Sequence, residues 1–83
     1  MVKKVIVYST AACPWCWKTK EFLKEHGIPF EDVDVGVDRD RAMEMVQKSG
    51  QMGVPVIAIT TDDGKEHIIV GFNEEKLREV LGL

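Results

Sequence analysis

The sequence predicts an α/β fold in which a mixed sheet of four strands packs against three helices, in the order βαβαββα. Runs of β-branched residues alternate along the chain with amphipathic segments that carry helix caps, and this alternation is typical of a βαβ unit. The turn signal Asp62-Asp63-Gly64 then joins two further strand-like runs as an antiparallel hairpin. With 83 residues, 45% of them hydrophobic, the chain has material for one such domain, which we place at residues 1–83.

The chain begins with the βαβ unit. Residues 5–7 form a continuous β-branched run, which is typical of a strand buried on both faces. Residues 14–26 should form a helix, because Pro14 is favoured at the first helical position and Gly27 can adopt the left-handed conformation that ends a helix. Residues 30–35 alternate apolar and acidic side chains, which predicts a second strand. The two strands should be parallel, since a helix joins them by a right-handed crossover.

The second half of the chain is predicted to add a helix, the hairpin and a last helix. Asp38 can cap the second helix, and Gly50 can end it. Residues 54–59 and 66–70 are the two predicted strands of the hairpin, and Asn73 can cap the third helix. We interpret the methionines as core filling rather than as thioether ligands. They are Met1, Met43, Met45 and Met52.

Charge and hydropathy argue against several classes of function. The net charge is −3 at pH 7, and the lysines and arginines are scattered, so the chain lacks the basic stripe typical of nucleic-acid binding. No stretch approaches the roughly 20 consecutive apolar residues of a membrane span, and the first residues lack the apolar region of a secretion signal. We therefore expect a cytoplasmic monomer that binds neither nucleic acid nor membranes.

Cys13 and Cys16 are the candidate redox centre, because they lie where the first predicted strand gives way to the first helix. Structural disulfides are rare in the cytosol, so two cysteines this close indicate chemistry or metal binding. Cys13 lies at the helix N-terminus, where free N–H groups and the helix dipole stabilise a thiolate, so its pKa should fall below the ordinary value of about 8.5. Positions i and i+3 share one helix face, so the two sulfurs can form a disulfide.

These placements predict a mechanism that uses both thiols. Cys13 attacks a substrate disulfide and forms a mixed disulfide, which Cys16 then resolves from a buried position one turn further along the helix. Pro14 withholds an N–H group and stiffens the turn, which tunes the redox potential of the pair. The predicted activity is thiol–disulfide exchange with an electron-accepting disulfide.

Two tryptophans stand beside the second cysteine of this motif. Trp15 lies between the cysteines at the junction of loop and helix, where we expect it to be exposed and to contact a partner. Trp17 falls on another part of the helix surface, and both packing and a functional role remain open for it.

Metal binding is the main alternative for the cysteine pair. A closed zinc site needs four ligands, and only His26 and His67 are left to complete one. His26 falls at the far end of the same helix and His67 in the hairpin, so we expect no zinc site within the chain. An iron–sulfur cluster bridging two copies remains as a less favoured alternative.

Four short segments in combination resemble the glutaredoxin group of the thioredoxin superfamily, over essentially the whole chain. They are Tyr8-Ser9, Cys13-Pro14-Trp15-Cys16, Val54-Pro55 and Val70-Gly71-Phe72. The resemblance implies a thioredoxin-like fold with a sheet in the order 2-1-3-4 and a cis Pro55 beside Cys13. It also implies that the Val54 backbone pairs with the substrate as an added antiparallel strand. The expected substrate-contacting residues are Pro14, Trp15, Val54, Pro55, Gly71 and Phe72.

The departures from this resemblance concern glutathione. Glutaredoxins often carry a lysine three positions before the first cysteine, where Thr10 stands here. They carry a Gly-Gly pair where this chain has Val70 and Gly71, and acidic residues near the positions of Asn73 and Glu74. We therefore expect the glutathione site to be incomplete.

The resemblance leaves two reductants open. Phe72 is similar to its counterpart in the NrdH-redoxins, which are reduced by thioredoxin reductase and supply electrons to ribonucleotide reductase. A flavoenzyme of that type is one expected partner, and glutathione as a co-substrate is the other. Pro14 argues against an iron–sulfur carrier, since cluster-binding glutaredoxins tend to lack this proline. We expect no cofactor beyond the reversible disulfide. A further departure from the family pattern is Gln51, which stands where many relatives have an arginine or a threonine.

Overall fold

Seven elements of secondary structure build the fold, and the computed structural model describes them over residues 2–83. They are β1 (Val2–Ser9), α1 (Pro14–Glu25), β2 (Glu31–Asp34), α2 (Arg39–Ser49), β3 (Val56–Thr61), β4 (Glu66–Val70) and α3 (Glu74–Leu81). The sheet has the order β2-β1-β3-β4. β1 pairs in parallel with β2 and antiparallel with β3, and β4 returns antiparallel to β3. The predicted α/β fold and the sheet order implied by the resemblance are confirmed.

Helices cover both faces of the sheet, α1 and α3 on one side and α2 on the other. β1 is buried on both faces, as predicted: Val5 and Val7 point toward α1 and α3, while Ile6 and Tyr8 point toward α2. α3 contributes Leu77, which is fully buried, to the first of these layers. Within residues 2–83, no helix is both long enough and apolar enough to cross a membrane.

Several element boundaries differ from the sequence prediction. β1 starts at Val2 rather than at residue 5, β2 covers Glu31–Asp34 rather than residues 30–35, and β3 continues to Thr61. β1 continues to Ser9 rather than ending at residue 7, because Ser9 pairs with Asp34 of β2. α1 ends at Glu25 with His26 as its cap, one residue earlier than predicted. β3 begins at Val56 rather than two residues earlier, since a proline cannot donate to the hydrogen-bond ladder of a sheet.

Among the three methionines within residues 2–83, the interpretation as core filling is correct for Met45 alone. Met45 is 2% exposed, whereas Met43 and Met52 are 59% and 81% exposed. On α2 the inward face follows Met45, and Met43 lies two positions away, about 200° around the helix. Met52 lies in the loop after α2 and reaches no core. Met1 lies outside the described residues.

A buried tyrosine ties α2 to the end of β1 that leads into the cysteine loop. Tyr8 is fully buried, and its hydroxyl donates a hydrogen bond to the carboxylate of Glu44 on α2. This bond lowers the pKa of Glu44, whereas burial raises the pKa of Tyr8. Arg41 binds the same carboxylate at 3.3 Å and also reaches Glu31 of β2 at 3.0 Å. These contacts therefore connect the end of β1 to α2, and α2 to β2.

Candidate active site

The sulfur of Cys13 lies at the N-terminus of α1. Cys13 is the N-cap of that helix, with extended backbone angles of φ −99° and ψ 107°, and Pro14 occupies the first helical turn as predicted. The backbone N–H of Cys16 donates to Cys13 Sγ at 3.1 Å. The N–H of Cys13 in turn donates to the carbonyl of Thr10 at 3.3 Å, which closes the loop. An amide donor and a helix N-terminus directed at one sulfur are the features that stabilise a thiolate.

The two cysteines differ sharply in exposure. They are joined as a disulfide, with Cα atoms 5.2 Å apart, within the usual range for such a bridge. Cys13 is partly exposed to solvent, whereas Cys16 is 1% exposed. An incoming sulfur can therefore reach Cys13 first, and Cys16 only after the chain or the substrate moves.

The rest of α1 is anchored so that its first turn keeps this position. The buried hydroxyl of Thr19 donates to the carbonyl of Trp15 at 2.8 Å. Asp32 of β2 receives two hydrogen bonds, from the hydroxyl of Ser9 at 2.9 Å and from Lys20 Nζ at 3.1 Å. Asp32 therefore links α1, β2 and the end of β1 that leads into the cysteine loop. The buried face of α1 consists of Cys16, Thr19, Phe22 and Leu23.

A cleft of about 220 Å³, here called the Trp15 cleft, opens beside Trp15, the residue that precedes Cys16. The peptide bond between Val54 and Pro55 is cis, which confirms that implication of the resemblance. The carbonyl of Pro55 accepts the N–H of Gly71 at 2.8 Å, which brings these two segments together. Five of the six expected substrate-contacting residues line this cleft, and Pro14 is exposed on α1 next to Cys13. The lining consists of Trp15, Val54, Pro55, Gly71 and Phe72.

Aromatic rings form one wall of the Trp15 cleft. The rings of Trp15 and Phe72 stack with centroids 6.2 Å apart and an interplanar angle of 22°. Phe72 also packs edge-on against the buried ring of Phe22, with ring centroids 6.0 Å apart. Trp15 is 54% exposed, so the prediction that it faces solvent is confirmed. Lys18 Nζ lies 5.2 Å from the centre of the same indole.

Gln51 fixes the loop that leads into the cleft. Its side-chain amide pairs with the backbone of Gly53, donating to the carbonyl at 2.9 Å and accepting the N–H at 2.7 Å. The hydroxyl of Ser49 donates to the carbonyl of Gln51 at 3.0 Å, which attaches the loop to the end of α2. A Cβ atom at Gly53 would lie 2.7 Å from Gln51 Oε1, so a larger residue there would displace the Gln51 side chain from this contact. Sequence reasoning noted the position but missed the contact, because no local pattern marks a side chain that binds a loop.

The residues that depart from the glutathione-binding pattern lie around the same region. Asn73 uses its side-chain oxygen to accept the N–H of Lys76 at 3.1 Å, as the cap of α3. Val70 is half exposed at the end of β4, opposite Val56 of β3. Thr10 is partly buried in the cysteine loop. None of the three side chains carries a charge for the ends of a tripeptide.

The histidines lie apart from the cysteines. Among residues 2–83, no group of three or more His, Cys, Asp and Glu side chains is arranged to hold a metal ion. His26 packs on the ring of Phe22 with centroids 4.5 Å apart. His67 belongs to β4, opposite Ile59 of β3.

Comparison with known proteins agrees with the geometry of this site. The sequence profile of the glutaredoxin family matches residues 5–66. An uncharacterised glutaredoxin-like 8.6 kDa protein from the rubredoxin operon of Clostridium pasteurianum is 49% identical over 75 residues, which covers 90% of this chain and 93% of that protein. The similarity therefore extends across the whole fold and not only across the cysteine motif.

Solved structures show the same architecture. A glutaredoxin from Archaeoglobus fulgidus superposes with a TM-score of 0.81 at 30% identity, covering 94% of this chain and 85% of that one. The NrdH-redoxin of Escherichia coli superposes with a TM-score of 0.75 at 23% identity, covering 94% and 95%, which shows similarity of fold alone. From the family profile, these structures and a cysteine pair at disulfide distance, we conclude that the chain belongs to the glutaredoxin family of redox proteins.

Proposed function

We propose that this protein is a dithiol–disulfide oxidoreductase that reduces protein disulfides through Cys13 and Cys16 and so delivers electrons to a protein target. The observation that supports this most strongly is the difference between the two sulfurs. Cys13 Sγ accepts a helix N-terminal amide and Cys13 is partly exposed to solvent, whereas Cys16 is buried. An attacking thiolate needs a stabilising amide and access to solvent. A resolving thiol needs to stay buried until the mixed disulfide has formed.

The exchange proceeds in two balanced steps. The Cys13 thiolate attacks one sulfur of the substrate disulfide, forms a mixed disulfide, and releases the other sulfur as a thiolate that takes up a proton. Cys16 then loses its proton and attacks Cys13 Sγ, which releases the second substrate thiol. Two electrons have passed to the substrate, and the protein holds the Cys13–Cys16 disulfide that the structure contains. A reductant must then reopen this disulfide.

The Trp15 cleft suits an extended protein segment as the substrate. Val54 lies at the entrance of β3, where its backbone can pair with an added antiparallel strand. Trp15 and Phe72 provide an exposed apolar wall against which the side chains of such a segment can pack. Backbone pairing gives affinity without strict sequence requirements, which is suited to a general reductant of protein disulfides.

We propose a flavoenzyme of the thioredoxin reductase type as the reductant, in preference to glutathione. Thr10 and Val70 offer no charge to the tripeptide, and Asn73 already caps α3. Because Phe72 is similar to its counterpart in the NrdH-redoxins, ribonucleotide reductase is the kind of target that we propose. The reducing cytoplasm is the compartment in which such a dithiol would act.

Two coupled assays on one substrate test the proposed function. Insulin serves as the protein disulfide, and NADPH consumption is followed with thioredoxin reductase in one cuvette and with glutathione plus glutathione reductase in another. We expect turnover with thioredoxin reductase to exceed turnover at millimolar glutathione. Faster turnover with glutathione would make this an ordinary glutathione-dependent glutaredoxin, and no turnover in either cuvette would contradict the proposed activity.

Gln51→Ala should weaken the binding of protein disulfides without slowing the chemistry. Loss of the two hydrogen bonds to Gly53 frees the loop before Val54, so KM for a protein disulfide should rise roughly three- to tenfold while kcat stays within about twofold. Steady-state kinetics with insulin and with a small disulfide that has no peptide backbone measure the split. Gln47→Ala, an exposed glutamine of α2, is the matched control. An equal change with both substrates would show that Gln51 does not act through the binding of the backbone.

A further inference from the structure

A second groove, here called the Trp17 groove, lies next to the Trp15 cleft and shares Phe72 with it as a wall. It has a volume of about 300 Å³. On its α1 side, Trp17, Glu21 and Glu25 follow one another at intervals of four residues, which places them along one ridge of the helix. Glu74 of α3 forms part of the opposite side. A protein segment bound in the Trp15 cleft therefore has this groove within reach of its next residues.

The aromatic residue of this ridge has no role in the core. Trp17 is 63% exposed, more than Trp15, so the packing role that the sequence left open for it is not observed. Tryptophan is the side chain most enriched where protein partners make their strongest contacts. Its exposure beside the Trp15 cleft indicates that the surface used by partners extends beyond the cleft itself.

The charges of the groove determine what kind of side chain fits it. Glu74 is paired with Arg78 at 3.1 Å, but neither Glu21 nor Glu25 forms an ion pair within residues 2–83. Lys18 also lines the groove, but its Nζ lies 5.2 Å from the centre of the Trp15 ring, and it forms no ion pair with either glutamate within residues 2–83. The Trp17 groove thus combines an exposed indole with three carboxylates and one lysine, and two of the carboxylates, those of Glu21 and Glu25, form no ion pair within residues 2–83.

Helix stability does not account for these two carboxylates. Like charges four residues apart destabilise a helix slightly, and Glu25 also opposes the helix dipole in the last turn of α1. A cation bound in the groove would relieve both effects.

We propose that the Trp17 groove receives an arginine side chain of the target protein, from a residue close to the disulfide that is reduced. This inference rests on the proposed function, because it assumes that the Trp15 cleft holds the segment with the disulfide. A guanidinium group can stack on the indole of Trp17 while its N–H groups bind Glu21 or Glu25. Lysine would fit less well, since its ammonium group neither stacks nor binds a carboxylate through two parallel hydrogen bonds. The groove therefore selects targets that carry a positive charge near the disulfide.

Disulfide peptides of matched sequence test this inference on the full-length protein. One set carries arginine at successive positions within four residues of the disulfide, and a second set carries neutral citrulline, which has nearly the same shape, at those positions. We expect kcat/KM to be about tenfold higher for the best arginine peptide than for its citrulline partner at low salt, with the difference shrinking as salt rises.

Variants of the groove separate it from the overall charge of the protein. Trp17→Ala and the double variant Glu21→Gln with Glu25→Gln should each reduce the arginine preference to about twofold or less. Glu79→Gln, an exposed carboxylate of α3 that does not line the groove, should keep the full preference. Thermal unfolding checks that each variant is folded, and Trp17→Phe, which keeps an aromatic face, should retain a reduced preference.

The possible failures of the two proposals are distinct. If no peptide is reduced, the proposed function fails. If arginine and citrulline peptides are reduced equally fast, the function stands and the Trp17 groove is not an arginine site. If Glu79→Gln lowers the preference as much as the groove variants do, the effect comes from net charge, which also overturns the inference.

Discussion

Cys13→Ser is expected to abolish the reduction of protein disulfides, lowering kcat/KM by at least about a thousandfold, because a serine hydroxyl is not ionised near neutral pH. Cys16→Ser should behave differently. The partly exposed Cys13 can still attack once, but the mixed disulfide then lacks its resolving thiol and persists. Rapid-mixing experiments with a fluorescent disulfide peptide measure the first attack, and NADPH-coupled assays measure turnover.

The two variants serve as controls for each other, since each replaces one sulfur by oxygen in the same turn of α1. Cys16→Ser should show a first attack at a rate near that of the wild type, followed by little or no turnover. Turnover of more than a few per cent in Cys13→Ser would show that Cys13 is not the essential attacking thiol. Failure of Cys16→Ser to form the mixed disulfide would also contradict the assignment of the two thiols.

Thr10→Lys combined with Val70→Gly should increase turnover with glutathione at least tenfold. The resemblance implies that the lysine binds a carboxylate of glutathione, and Val70→Gly restores the Gly-Gly pair that glutaredoxins carry at this position. Each restored charge-assisted hydrogen bond is worth on the order of 1.5–3 kcal/mol where it is partly shielded from water, and 1.4 kcal/mol corresponds to a factor of ten. The rate with thioredoxin reductase should change by less than about threefold, because Cys13 and Cys16 are untouched.

Gln47→Lys adds the same charge on the exposed face of α2 and is the matched control for that experiment. Val70 pairs with Val56 at the end of β4, so urea unfolding should accompany the kinetics to measure any loss of stability. An unchanged glutathione rate in a folded double variant would mean that Thr10 and Val70 are not what limits glutathione binding in this protein.

Local chemistry was sufficient to predict most helix boundaries. Pro14 at the first turn of α1, Asp38 and Asn73 as caps, and Gly50 at the end of α2 are all observed. Each depends on hydrogen bonds between residues only a few positions apart, which the sequence displays directly. The cysteine motif could be placed for the same reason, since its position follows from the start of α1.

Features that depend on distant contacts could not be predicted in this way. The extension of β1 to Ser9 requires its pairing with Asp34 across the sheet. The exposure of Met43 and Met52 depends on which face of α2 meets the sheet and on the course of the following loop. The apolar type of these side chains was therefore a poor guide to their burial.

The site shows the same division between local and distant contacts. The sequence predicted the exposed position of Trp15 from its place between the cysteines, which the structure confirms. It did not predict that Gln51 would bind the backbone of Gly53, or that Phe72 would separate two grooves. The family resemblance supplied the sheet order and the cis Pro55, which periodicity and composition do not specify.

The central claim is that the helix N-terminus activates Cys13 as the attacking thiol, while the buried Cys16 acts only as the resolving thiol. Labelling of the reduced protein with iodoacetamide across a range of pH tests this claim most directly. Mass spectrometry of the digested protein assigns each label to one cysteine. We predict that Cys13 is labelled first, with an apparent pKa well below the 8.5 or so of a free thiol, and that Cys16 reacts slowly throughout. Equal labelling of the two cysteines, or faster labelling of Cys16, would contradict the account.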